Sequence, residues 1–130
     1  MKKTLFIGMK EKVTKTITDL NVKEFINISG DLNPVHSDEE YAQKTIFKKR
    51  VVPGMLTASL ISGVLGTKLP GEGTIYLEQN LKFIKPVYIN DIITTEVEIE
   101  NIEGKIITIL TKCYNQKNEL LISGQAKVLY

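Results

Sequence analysis

The chain has few of the residues that organise small secreted or metal-built domains: one cysteine, one histidine, four prolines and no tryptophan in 130 residues. A lone cysteine, Cys113, excludes an intramolecular disulfide. Among its apolar, β-favouring neighbours it is expected to fill space as a small hydrophobe in a reducing, cytoplasmic compartment. One histidine and no paired-cysteine or H-E-x-x-H pattern leave only carboxylates to complete a metal shell, so no metal site is expected. Neither sign of charge is in excess. Seventeen Lys and Arg against fifteen Asp and Glu give a net charge of +2, and their scatter along the chain argues against nucleic acid as a partner. No apolar run is long enough to span a bilayer. Met1-Lys2-Lys3 followed by Thr4-Leu5-Phe6-Ile7-Gly8 imitates a signal peptide, but Lys10, Glu11 and Lys12 interrupt it too early for secretion.

What remains is an ordinary globular composition, 42% hydrophobic and 25% charged, at a length that suits one domain over residues 1–130. Residues Gly8 to Thr18 read as a first strand. Thr18 is a suitable helix N-cap. Val22, Phe25, Ile26 and Ser29 follow at helical spacing, and Gly30 is placed to end that helix in a left-handed conformation. Ser37 and Glu40 form an S-x-x-E capping box ahead of a short helix from about Asp38 to Lys44. Met55 to Thr67 has almost no polar face, so this helix should be buried nearly all round, with small Thr57, Ser59, Ser62, Gly63 and Gly66 allowing close approach.

Beyond Gly73 the pattern turns β-branched and alternating, with Ile75, Leu77, Gln79, Leu81 and Phe83 on one side. Strands are expected at about Ile89–Glu100, Lys105–Asn115 and Leu120–Leu129, joined by turns at Glu103-Gly104 and Gln116-Lys117-Asn118. A curled antiparallel sheet wrapped around the long central apolar helix, an α+β arrangement, satisfies these faces together. Its open edges point to a homodimer.

Chemistry concentrates in Ser29-Gly30-Asp31-Leu32-Asn33-Pro34-Val35-His36. A carboxylate and the chain's only imidazole share one proline-stiffened turn, where Asp31 and His36 could hold a water between them and exchange protons with it. The plainer alternative is that Asp31 caps the loop and His36 is structural. Asn33 is a candidate substrate-binding residue that fits a loop-bracing role through side-chain hydrogen bonds, or that of a simple turn residue. Gly54, at the start of the central helix, offers free N–H groups and the positive end of the helix dipole to a developing negative charge. Pro53-Gly54 alternatively serves only as the turn into the helix. The basic run Lys48-Lys49-Arg50 could meet phosphates of a cofactor-like substrate or stay solvated.

These residues resemble the MaoC-like hydratases, and within them the short (R)-specific enoyl-CoA hydratases. F-I-N-I-S-G-D-L-N-P-V-H, Phe25 to His36, is similar to the hydratase signature. V-V-P-G-M-L-T-A-S-L-I-S-G-V-L-G-T-K-L-P-G is similar to the family's central helix, and Ile75 to Val87 continues the likeness. The resemblance implies a dimeric hot-dog fold, Asp31 and His36 as the catalytic pair, the Gly54 N–H as donor to a thioester carbonyl, and Ser62 as a supporting polar residue near the substrate. It implies reversible, one-faced addition of water to a trans-2-enoyl-CoA, with no cofactor consumed. Many such hydratases carry histidine before the glycine; this chain has Pro53, which spares the Gly54 N–H but removes whatever that histidine contributes to the pocket. Other readings on the same scaffold are a 3-hydroxyacyl dehydratase acting on an acyl-carrier protein, thioester hydrolysis, and a non-catalytic acyl-thioester sensor. Leu60 and Leu65 are candidates for the tunnel floor, or plain core.

Overall fold

A computed structural model describes residues 2–130. The elements run β1 (Lys10–Thr16), α1 (Asp19–Ser29), α2 (Glu39–Gln43), α3 (Gly54–Thr67), β2 (Ile75–Phe83), β3 (Ile92–Glu103), β4 (Ile106–Tyr114) and β5 (Leu120–Leu129). The strands form one five-stranded sheet in the order β1-β3-β4-β5-β2, with every neighbouring pair antiparallel. Register slips at Tyr76/Glu78, Ile99/Asn101 and Cys113/Tyr114 insert bulges that add local twist and help the sheet curl.

Period-2 patterning decides which face of the sheet is buried. Ile93, Val97 and Ile99 of β3, Ile107, Ile109 and Cys113 of β4, and Ile122, Ala126 and Val128 of β5 all point inward. They meet Ala58, Ile61, Val64 and Leu65 of α3 in one core. Cys113 is fully buried there, and burial pushes its thiol pKa up, as expected of a space-filling cysteine. Gly124 of β5 permits the tightest approach in the sheet: a Cβ at this position would lie 2.0 Å from the Asn80 carbonyl oxygen of β2.

Several expectations need correction. The short helix α2 is capped by Asp38, whose carboxylate accepts the Tyr41 N–H at 3.1 Å, and not by a Ser37–Glu40 box. The reason is the proline turn. The N–H groups of Ser37 and Asp38 both donate to the Pro34 carbonyl, so the turn is not finished until Asp38. Strand β3 starts at Ile92 and not near Ile89, because Asn90 takes a φ of 74° and the Asp91 carboxylate accepts the Tyr88 N–H, forming a turn.

Helix α3 is buried on one side only. Thr57, Ala58, Ile61, Val64 and Leu65 face the sheet, whereas Met55, Ser59, Ser62, Gly63 and Gly66 form an exposed stripe at steps of three and four. Strand β2 lies at a sheet edge and its bulge breaks the expected alternation, so Ile75, Leu77 and Phe83 are exposed and Leu81 alone of the predicted face packs against the core. Among the described residues, no helix is long and apolar enough to cross a membrane.

Candidate active site

Local chain geometry explains how the pair is delivered. Helix α1 begins at a reciprocal capping box: Thr18 Oγ1 accepts the Asn21 N–H, and Asn21 Oδ1 accepts the Thr18 N–H. It ends at Gly30, whose φ of 75° is the left-handed conformation glycine adopts without strain. Asp31 follows at once. Its backbone N–H donates to Ser29 Oγ, and its Oδ1 accepts the Asn33 N–H at 3.2 Å. Asn33 Oδ1 in turn accepts the Val35 N–H, and the Asn33 carbonyl accepts the His36 N–H at 3.1 Å. Asn33 therefore braces the loop from an exposed position, and as a substrate-binding candidate it does not line the cavity.

The loop turns His36 back towards Asp31, and Nε2 of His36 stands 3.3 Å from Oδ2 of Asp31. The His36 side chain is 10% exposed and that of Asp31 40%. On the other edge of the ring, Nδ1 lies 2.8 Å from the Val51 carbonyl oxygen. A carbonyl can only accept, so Nδ1 carries the proton, and in neutral imidazole Nε2 is left with a lone pair facing the carboxylate. Two acceptors at this separation are brought together by a proton shared between them, or by a water that donates to both.

Both side chains line a cavity of about 570 Å³. Its other walls are Val35, Phe47, Val51, Val52, Pro53, Gly54, Met55, Phe83, Ile84, Lys85, Pro86, Val87 and Ile122, a largely apolar surface suited to an acyl chain. Gly54 opens α3, and no side chain caps that end. Among the described residues, the N–H groups of Leu56 and Thr57 donate to Pro53, while those of Gly54 and Met55 have no protein acceptor. The dipole and free donors of a 14-residue helix thus lie on the same wall as the Asp31–His36 pair. A Cβ at Gly54 would come within 2.8 Å of the Phe83 ring, so this wall has no spare room.

Other expectations fare differently. Ser62 is exposed on the α3 stripe and lines a separate groove with Phe25, Met55, Tyr76 and Leu77; Met55 alone of these also borders the Asp31–His36 cavity. Within one chain, Ser62 is therefore not beside the pair. Neither Leu60 nor Leu65 reaches the cavity: Leu65 is plain core, and Leu60 borders grooves on the far side of α3. Within the basic run, Arg50 is engaged by the Asp19 carboxylate and the His36 carbonyl and Lys49 Nζ sits 4.3 Å above the Tyr88 ring, while Lys48 and Lys49 are exposed. The Val51 carbonyl and Phe83 were not legible as site residues, and Arg50 was legible only as a possible phosphate contact and not as a partner of the His36 backbone. The first is backbone and carries no side-chain signal, and the other two reach the site only through long-range folding.

The model of the MaoC like domain matches residues 7–119. The chain belongs to the MaoC-like family. One relative within the family is the (R)-specific enoyl-CoA hydratase of Rhodospirillum rubrum, 43% identical over 94% of this chain and 85% of that protein. Another is the mitochondrial 3-hydroxyacyl-[acyl-carrier-protein] dehydratase FERN of Solanum lycopersicum, 39% identical over 96% of this chain and 77% of that one. A solved (R)-hydratase from A. caviae, involved in PHA biosynthesis, superposes with a TM-score of 0.95 at 40% identity, covering 98% of both chains. The α+β hot-dog architecture of MaoC-like proteins is the one found here, its curled antiparallel sheet packed on the apolar face of α3.

Proposed function

We propose that this chain is a hydro-lyase of fatty-acid metabolism that reversibly and stereospecifically hydrates trans-2-enoyl-CoA to (R)-3-hydroxyacyl-CoA, with Asp31 and His36 activating the water. One observation carries the reading. Nε2 of His36 and Oδ2 of Asp31 face each other at 3.3 Å, with Nδ1 held by the Val51 carbonyl, on the wall of an apolar cavity that also includes the uncapped start of α3.

A water that donates one hydrogen to each acceptor turns its oxygen lone pair towards C3 of the enoyl group. As the C3–O bond forms, one water proton passes to the pair and the C2–C3 π electrons move towards the thioester carbonyl. The negative charge gathering on that oxygen is stabilised by the Gly54 N–H, whose backbone survives the presence of proline at 53. C2 then takes a proton from the pair. One water has been added in total, and both side chains are back in their starting state. The apolar walls hold the acyl chain, and no metal or organic cofactor enters the scheme.

The working unit is a homodimer. Exposed Ile75, Tyr76 and Leu77 on the open edge strand β2, together with the small-residue stripe of α3, form an apolar surface that a second copy would cover, and Ser62 lies within it. Sedimentation at twice the chain mass is the expected result, and a monomer would contradict it. A reducing, cytoplasmic setting agrees with a single thiol kept in the core.

A second reading, dehydration of a carrier-protein-bound 3-hydroxyacyl group, is favoured by the likeness to the tomato dehydratase. The experiment offers crotonyl-CoA and the same acyl group on acyl-carrier protein, following enoyl-thioester absorbance and free thiol. Loss of absorbance without thiol, giving the (R) product from the CoA substrate, is the expected result. A marked preference for the carrier protein selects the second reading, and release of thiol would mean thioester hydrolysis.

A further inference from the structure

Arg50 is absent from the cavity wall, yet it is bonded to the backbone of the residue that carries the imidazole. Its Nε donates to the His36 carbonyl at 2.9 Å, and its Nη2 donates to Asp19 Oδ1 at 2.6 Å. The Arg50 side chain is 16% exposed. Asp19 is the first residue of α1, the helix whose far end delivers Asp31, and it is also paired with Lys23 at 3.1 Å. Two further bonds tie the same pair of segments: the Val51 N–H donates to the Val35 carbonyl at 3.2 Å, and His36 Nδ1–H donates to the Val51 carbonyl at 2.8 Å. Residues 35–36 and 50–51 are thus stitched together, and only the Arg50 stitch continues to α1.

We infer that Arg50 is a positioning residue: anchored by Asp19, it fixes the His36 main chain relative to α1 and so sets the separation of Nε2 from the Asp31 carboxylate. This rests on Asp31 and His36 being the reacting pair. A guanidinium suits the task because its planar fork donates in two directions at once, whereas an ammonium on a flexible stem would have to choose. Two of its five N–H donors are engaged inside the protein and its side chain does not line the cavity, which sets this role apart from contact with the acyl group. A contact with substrate would show in KM; a displaced imidazole shows in kcat, where misplacement of about an ångström costs on the order of a hundredfold.

The test uses the full chain and Arg50→Lys, Asp19→Asn and His36→Gln, assayed with crotonyl-CoA well below their melting temperatures. His36 is the only histidine, so the imidazole ¹⁵N resonances report it without assignment. Arg50→Lys is expected to lower kcat by about tenfold to a hundredfold with KM little changed, and to shift the imidazole resonances away from the Nδ1–H form while the amide spectrum stays that of a folded protein. Asp19→Asn, which keeps the Nε bond, should move both readouts the same way by less, and it decides the matter if Arg50→Lys does not fold. Unchanged kcat and resonances in a folded variant, or a rise in KM alone, overturn the inference. His36→Gln separates the two layers. If it retains full kcat, the catalytic reading and this inference fall together; if it is inactive while the Arg50 and Asp19 variants behave as the parent, only this inference falls.

Discussion

Replacing Gly54 with alanine puts a single methyl group where the geometry allows almost nothing. Its Cβ would lie 2.8 Å from both Cδ1 and Cε1 of Phe83, well inside the roughly 3.5–4.0 Å of favourable carbon contact. The ring must give way. Phe83 is 54% exposed, so it can swing outward at an off-rotamer cost of about 0.5–1.5 kcal/mol. Alanine returns up to about 1 kcal/mol of helix propensity in compensation. The two nearly cancel, and the melting temperature should move by only a few degrees. Activity should not be spared, because the methyl and the displaced ring crowd the wall where the proposed mechanism puts the thioester oxygen against the Gly54 N–H. Complete loss of one such donor costs about 2.7–4 kcal/mol, or 10²–10³ in rate, so partial displacement should lower kcat/KM for crotonyl-CoA by at least about tenfold. Phe83→Leu in the same background, which removes the clash, should recover part of it. A Gly54→Ala protein with the parent's kcat/KM would refute the placement of the substrate carbonyl.

Gly124→Ala is a different kind of intrusion, since its Cβ would meet the Asn80 carbonyl at 2.0 Å and a backbone cannot swing away without breaking the β2–β5 ladder. Urea unfolding should show a loss of at least about 1–3 kcal/mol, and unchanged stability would contradict the close approach. The Asp19 carboxyl titrates below its ordinary value of 3.8, chiefly because Arg50 hydrogen-bonds it. A depressed folded-state pKa adds stability that is present above the unfolded value and lost as pH falls through the folded one. Asp19→Asn should therefore flatten the acid limb of the stability curve below about pH 4 and leave its slope near neutrality untouched; equal acid limbs would show that the pair contributes nothing.

Much of the scaffold was legible because local chemistry and global packing agree. Thr18 and Gly30 mark the ends of α1, and the period-2 runs of β3, β4 and β5 bury the residues they promise. The disagreements arise where two local signals compete or where this chain leaves an apolar face uncovered. Ser37 and Asp38 both qualify as caps, and the Pro34 turn gives the role to Asp38. The apolar sequence of α3 promises burial all round, but its small residues fall on one stripe that this chain alone leaves uncovered. The Asp31–His36 pair was readable because both residues lie on one short turn. What orients them was not: the Val51 carbonyl and the Arg50 guanidinium come from a segment about fourteen residues further along, and Arg50 looked from its neighbours like part of a solvated basic run.

The central claim, that Asp31 and His36 act together on a water, is tested most directly by the disappearance of enoyl-thioester absorbance from crotonyl-CoA with the parent protein, Asp31→Asn and His36→Gln. Rapid loss of absorbance without free thiol in the parent, and its abolition in both folded variants, is the predicted result. Hydration that survives either substitution at the parent's rate would contradict the claim.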